Sequence, residues 1–208
     1  MESKLKELHD HAGIFPHDLD FFKNYGELFI EGVKSLDLLG IWNGKGEPEL
    51  YQKLGLTCEI ANYQEMVGEI PAIAMGAATS WLPELKGYRV MVVSSFAELI
   101  NQRANETDWN RYWAGRIPWI EPAAFKAVSF PYGFEKQTQQ SFRDSVDLLE
   151  RFKTEHQSAL EDSDIILLGC GAYAIPLVQW AKERGKVAIH MGGKSKSSSV
   201  SREGAGTG

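Results

Sequence analysis

Apolar positions along this chain follow two periods, one helical and one continuous, and their alternation sets out the elements. Over residues 17–35, Leu19, Phe22, Leu28, Phe29 and Val33 recur near helical spacing, which predicts an amphipathic helix. Pro16 and Asp18 stand at its start, where a fixed φ and a negative charge both suit a helix N-terminus. Residues 36–42 form a short apolar run closed by Asn43-Gly44, the pattern of a buried strand and a turn. Residues 47–54 predict a short helix, and 57–87 carry no clear pattern. The β-branched run from Tyr88 to Val93 predicts a strand buried on both faces. A helix is expected from Phe96 to about Ala104, then a strand over 126–130 stopped by Pro131. Residues 139–160 read as one long helix with Phe142, Val146, Leu149 and Phe152 on one face.

The C-terminal unit is the most legible. An apolar strand over 164–168 runs into Gly169-Cys170-Gly171-Ala172-Tyr173. A helix is expected from Ala174 to Arg184, with Pro176 early enough to be tolerated and Gly185 as its stop. A second apolar strand follows over 186–190. Strand, helix and strand with unbroken apolar strands form a βαβ unit, so the expected class is α/β, with a mostly parallel sheet between two helical layers.

Composition narrows the picture. With 208 residues the chain suits one domain, and 43% hydrophobic with 24% charged residues is ordinary for a globular protein. The net charge of −6 argues against nucleic-acid binding. Two cysteines, Cys58 and Cys170, without a CxxC pair, indicate neither a disulfide framework nor a zinc site. The charged start and the lack of a long apolar run predict no signal peptide and no membrane span, so the expected location is cytoplasmic. The domain is expected to end at 193. Residues 194–208, rich in Lys, Ser and Gly, have too little apolar surface to order.

Candidate chemistry clusters at strand ends, where open parallel sheets bind ligands. Gly169-x-Gly171 lies between a strand and a helix, where glycine admits a phosphate and the helix end supplies N–H donors. The other reading is simply a tight turn. A dinucleotide site, as in an NAD-dependent oxidoreductase, would want an acidic residue after the next strand, and His190 stands there. His190 ahead of Met191-Gly192-Gly193 could meet a phosphate or serve acid–base chemistry, or be a hydrogen-bonded histidine near the core. His9, His11 and His17 with Asp10 and Asp18 fit no standard metal spacing and read as a solvated loop. Trp109, Tyr112, Trp113 and Trp119 could stack on a sugar but more often would be core or partner contacts, and Cys170 reads as a small buried residue.

Several blocks resemble the GT-D-like glycosyltransferase family. They are 11–16 (HAGIFP), 37–42 (DLLGIW), 93–102 (VSSFAELINQ), 130–133 (FPYG), 166–173 (ILLGCGAY) and 188–193 (AIHMGG), and together they cover most of residues 8–193. The resemblance implies a Rossmann-like α/β/α fold and transfer of a sugar from a nucleotide-sugar donor to a glycan acceptor, as in polysaccharide synthesis. It implies contacts to the nucleotide from Gly169, Gly171, Tyr173, His190, Gly192 and Gly193, with Ser95, Trp42 and Glu47 near strand ends. It also implies a divalent metal, Mn or Mg, on an Asp-x-Glu motif that this chain does not contain; the chain is expected to begin after it. Synonymous codons for residues 196–207, read one frame over, spell QILFGIKGRRW, similar to the family's ending, so the tail is expected to be a frameshift product. The alternative is a non-catalytic nucleotide-sugar-binding or scaffold domain of the same fold.

Overall fold

The computed structural model describes residues 6, 9–10, 12–41, 46–62, 81–105, 122–133 and 135–191. Six strands are described: β1 (Leu38–Ile41), β2 (Glu59–Asn62), β3 (Arg89–Ser94), β4 (Ala124–Val128), β5 (Ile165–Gly169) and β6 (Val187–His190). They alternate with helices α1 (Leu19–Lys34), α2 (Glu47–Leu54), α3 (Ala97–Asn105), α4 (Lys136–Ser141), α5 (Ser145–Glu161) and α6 (Ala174–Lys182). Four strands form one parallel sheet in the order β4-β3-β5-β6, and β1 pairs with β2 in a parallel two-stranded sheet. The arrangement is a Rossmann-like α/β/α fold, as the alternation of elements requires.

The central strands carry unbroken apolar runs, residues 90–93 and 165–168, because both faces are covered. Met91 and Val93 of β3, with Ile166 and Leu168 of β5, pack under Leu148, Leu149 and Phe152 of α5 and Leu177 of α6. The alternate residues Val90, Ile165 and Leu167 join Leu85 on the other face, with Trp81, Phe125 and Ile189 against them. A two-residue period with both phases buried reads in sequence as an unbroken apolar run.

The strand order contains a switch point. From β3 the chain passes through α3 to β4 on one side; it then returns through α5 to β5 on the other side of β3 and continues outward to β6. Connections from β3 and β5 therefore leave in opposite directions and open a crevice at their carboxyl ends.

Two expectations are corrected. The run over 36–42 is not a buried strand: β1 is half-buried and Leu38 is 43% exposed, because β1 has one hydrogen-bonded neighbour among the described strands and lies outside the four-stranded sheet. The helix expected over 139–160 is two helices. Phe142 is extended (φ −126°, ψ 143°) and α5 begins afresh at Ser145. Asp144 accepts from the Asp147 amide at 2.8 Å, and the Asp147 carboxylate accepts from the Arg143 amide at 3.0 Å. Two aspartates thus satisfy amides that a new helix start leaves free, which offsets the hydrogen bonds lost at the break. Periodicity passes smoothly over the break because Phe142 still packs against the same core.

Helix α1 starts where expected, with Asp18 accepting from the Phe21 amide at 2.8 Å. Gly185 (φ 70°) ends the last helical segment, and the Lys186 amide reaches back to the Ala181 carbonyl at 3.1 Å. The Lys182 ammonium donates to the Ser35 carbonyl at 2.6 Å and to Asp37 at 2.7 Å, tying the end of α6 to the connection between α1 and β1. No helix among the described residues is long and apolar enough to cross a membrane.

At the amino end of the sheet, Arg89 holds Asp164 through Nε at 3.0 Å and its terminal nitrogen at 2.6 Å, and its own amide adds a third bond at 2.9 Å. These bonds lower the Asp164 pKa from 3.8 to about 2. A carboxylate with a depressed folded-state pKa contributes stability above its unfolded value, lost as pH falls through the folded one. Asp164→Asn is therefore expected to lower the urea midpoint at pH 7, with the gap from wild type closing between about pH 4 and pH 2. A gap independent of pH would remove the ion pair from the account.

Candidate functional site

The crevice at the switch point is built from four chain segments. Ser95 follows β3, Phe130 to Gly133 follow β4, Gly169 ends β5 with Cys170 and Gly171 after it, and Ala12 with Gly13 close the side. Each is placed by the sheet. Ser94 pairs with Gly169 in register, which sets the two strand ends level. The buried Ser94 hydroxyl accepts from the Phe96 amide at 3.2 Å and turns the chain into α3. The Ser94 carbonyl accepts from the Phe130 amide at 3.3 Å and draws the segment after β4 alongside. Gly171 opens the 3-10 turn at φ 63°, a conformation costly to residues with a Cβ, and no atom lies within 4 Å of where that Cβ would project.

Behind this lining is a buried knot of hydroxyls. The Tyr173 hydroxyl donates to the Gly13 carbonyl at 2.6 Å and lies 2.7 Å from the Ser145 hydroxyl. Ser145 Oγ accepts from the Phe15 amide at 2.9 Å, and the Ser145 amide donates to the Phe15 carbonyl at 2.9 Å. Gly133 passes so close that a side chain there would strike the Gly13 carbonyl and the Tyr173 hydroxyl. The knot clamps the segment around Gly13 to the starts of α5 and α6. Burial, the dominant cause, pushes the Tyr173 phenol well above its ordinary pKa, against the hydrogen bond with Ser145 that lowers it. Tyr25 is raised as well, chiefly by burial and then by Tyr173 and Cys170.

The structure brings Gly169, Gly171, Tyr173 and Ser95 together at this crevice. Tyr173 is only 2% exposed with its hydroxyl committed within the protein, so its observed part is to brace the lining. His190 ends β6 level with Leu168, one strand across from the glycines and outside the crevice lining. Its surface is open to solvent, yet the surrounding protein mass lowers its pKa below the ordinary histidine value. Glu47 lies at the start of α2, where it accepts from the Tyr51 hydroxyl at 2.5 Å, and it does not line the crevice. Trp42, Gly192, Gly193, the tail 194–208 and the aromatic stretch 109–119 lie outside the described residues. Cys170 is buried and its thiol is pushed well up by burial, which fits a small packing residue.

Sequence reasoning from the residues themselves missed Ala12, Gly13 and Phe130 to Gly133 as lining. The available signal was punctuation, with Pro131 and Gly133 directly after a strand and Gly13 between histidines. A larger open cleft of about 600 Å³ lies between the start of β1, the start of β2 and the end of α6, lined by Asp37, Cys58, Glu59 and Lys182 among others. It sits at the amino ends of β1 and β2, away from the switch point; the switch-point crevice encloses only about 30 Å³ and is the candidate by its position at the carboxyl ends of β3 and β5.

Among the described residues, no three histidine, cysteine, aspartate or glutamate side chains gather to hold a metal. The crevice lining is uncharged, made of backbone, glycines, a serine hydroxyl and aromatic rings, with Phe96 edge-on to Tyr132 at 6.2 Å. Such a lining suits binding of a polar group through the main chain more than proton transfer. Comparison with protein-family models, curated proteins and solved structures returns no match.

Proposed function

We propose that this chain is a glycosyltransferase-like domain that holds a nucleotide-sugar donor by its diphosphate at the switch-point crevice and serves transfer of the sugar to a glycan acceptor. One observation carries the reading: a glycine turn at φ 63° meets the carboxyl ends of β3 and β5 at the point where their connections diverge. Backbone can approach a diphosphate there without a side chain between them. Ser95 lines the same crevice and would offer a hydroxyl to the ligand, and His190, one strand further out, would face the sugar or acceptor. Mn or Mg would neutralise the leaving diphosphate in such an enzyme, and the described crevice lining offers it no carboxylate.

That uncharged lining favours a second reading, a nucleotide-sugar-binding domain of the same fold without turnover. Calorimetry with UDP-glucose, UDP and NAD, followed by an assay for released UDP, separates the two. The first reading expects UDP-glucose to bind, NAD not to bind, and UDP to be released when acceptor glycan is added. Binding without release supports the second. Gly171→Val is expected to abolish binding, because it places a branched side chain on the turn that lines the crevice, and to cost about 1–2 kcal/mol of stability from backbone strain alone. Binding of none of the nucleotides, or unchanged binding in Gly171→Val, would overturn both readings.

A further inference from the structure

The segment before α1 carries a second arrangement, which depends on its own geometry and not on the function of the crevice. His9 and His17 flank the Gly13 segment, and their imidazole centroids are 5.8 Å apart with planes tilted by 50°. We propose that these two imidazoles bind one late first-row divalent metal ion, with zinc as the test ion and water completing its shell.

The separation fits. A metal about 2 Å from each ligating nitrogen at a tetrahedral or wider angle sets two imidazole centroids roughly 5–6 Å apart. His9 Nδ1 lies 3.1 Å from the Ile14 carbonyl, a group that only accepts, so Nδ1 is the donor in that contact and Nε2 is the nitrogen that would meet a metal. A carbonyl behind one ring nitrogen is the usual support of a metal-ligating histidine. Among the described residues, the neighbour at Nε2 is the Gln139 amide nitrogen at 3.5 Å, which also donates to the Gly133 carbonyl at 3.0 Å. That long contact is the one a metal displaces. His17 is exposed, and among the described residues its ring meets the His9 ring and the edge of Phe22 at 6.2 Å, so it can rotate to complete the pair.

Gly13 and Phe15, between the two histidines, are already braced. The Gly13 amide donates to the His9 carbonyl at 3.0 Å, Gly13 is held by Tyr173, and Phe15 is held by Ser145 from both its amide and its carbonyl. Little backbone entropy remains to be lost when the ion binds, and the ordering falls mainly on the His17 side chain. Imidazole pairs suit zinc, copper and nickel above magnesium or calcium. A bound ion would link both ends of the segment that supplies Ala12 and Gly13 to the crevice.

The test is calorimetry of the tag-free full chain with Zn²⁺ alone, repeated with Mg²⁺. One equivalent of Zn²⁺ is expected to bind and Mg²⁺ to give no heat. Loss of a supporting partner of a metal ligand weakens binding by about 10–100-fold, so loss of a ligand itself in His9→Gln or His17→Gln should weaken it about tenfold or more. His156→Gln, on α5, should leave it unchanged. His17 is exposed and its substitution leaves the fold intact, so that variant alone is decisive. Absence of Zn²⁺ binding by the wild-type chain, or equal affinity in His17→Gln, overturns the proposal.

Discussion

Gly133→Ala is expected to destabilise this protein by about 4 kcal/mol. The new carbon would overlap the Gly13 carbonyl oxygen and the Tyr173 hydroxyl. Both groups are buried and bonded to each other at 2.6 Å, so neither can move without breaking that bond. Overpacking alone costs about 1–3 kcal/mol. Leaving a buried hydroxyl or carbonyl unpaired adds about 1–3 kcal/mol. Urea unfolding monitored by tryptophan fluorescence measures the loss. Gly26→Ala, where nothing lies within 4 Å of the added carbon, serves as the comparison. A Gly133→Ala midpoint equal to that of Gly26→Ala would mean that the hydroxyl knot does not hold the crevice wall.

Leu149→Ala is expected to cost about 3 kcal/mol by the opposite mechanism, a void in the core. Leu149 is fully buried on α5, against the face of the sheet formed by Met91, Val93, Ile166 and Leu168. The side chain of Leu50, on α2, is 52% exposed, and Leu50→Ala should change stability by no more than about 0.5 kcal/mol. Differential scanning calorimetry of both variants checks the contrast. Equal melting temperatures would contradict the assignment of α5 as the principal helix over that face.

Where the sequence was informative, local and long-range constraints agreed. The strand over 165–169 reads as buried because both of its faces are, and the glycine turn, Pro176 and Gly185 punctuate α6 as their backbone preferences dictate. The break at Phe142 was hidden because Asp144 and Asp147 cap a new helix inside an unbroken apolar period. Strand β1 was misjudged as buried because apolar content does not reveal how many neighbours a strand has. At the crevice, Gly169, Gly171 and Ser95 were legible from their position between strand and helix. Ala12, Gly13, Tyr132 and Gly133 come from segments more than thirty residues from β5, and only the fold brings them to it. Glu47 was suggested by its nearness to a strand end, but that strand belongs to the other sheet.

The central claim, that the switch-point crevice receives a nucleotide diphosphate, is tested most directly by following backbone amide resonances of the labelled full chain during titration with UDP. The account predicts saturable shifts centred on Ser95, Gly169, Cys170 and Gly171, extending to Ala12 and Gly13, with Asp37, Thr57 and Lys182 unmoved. Shifts confined to those last three, or no shift at any of these amides, would contradict it.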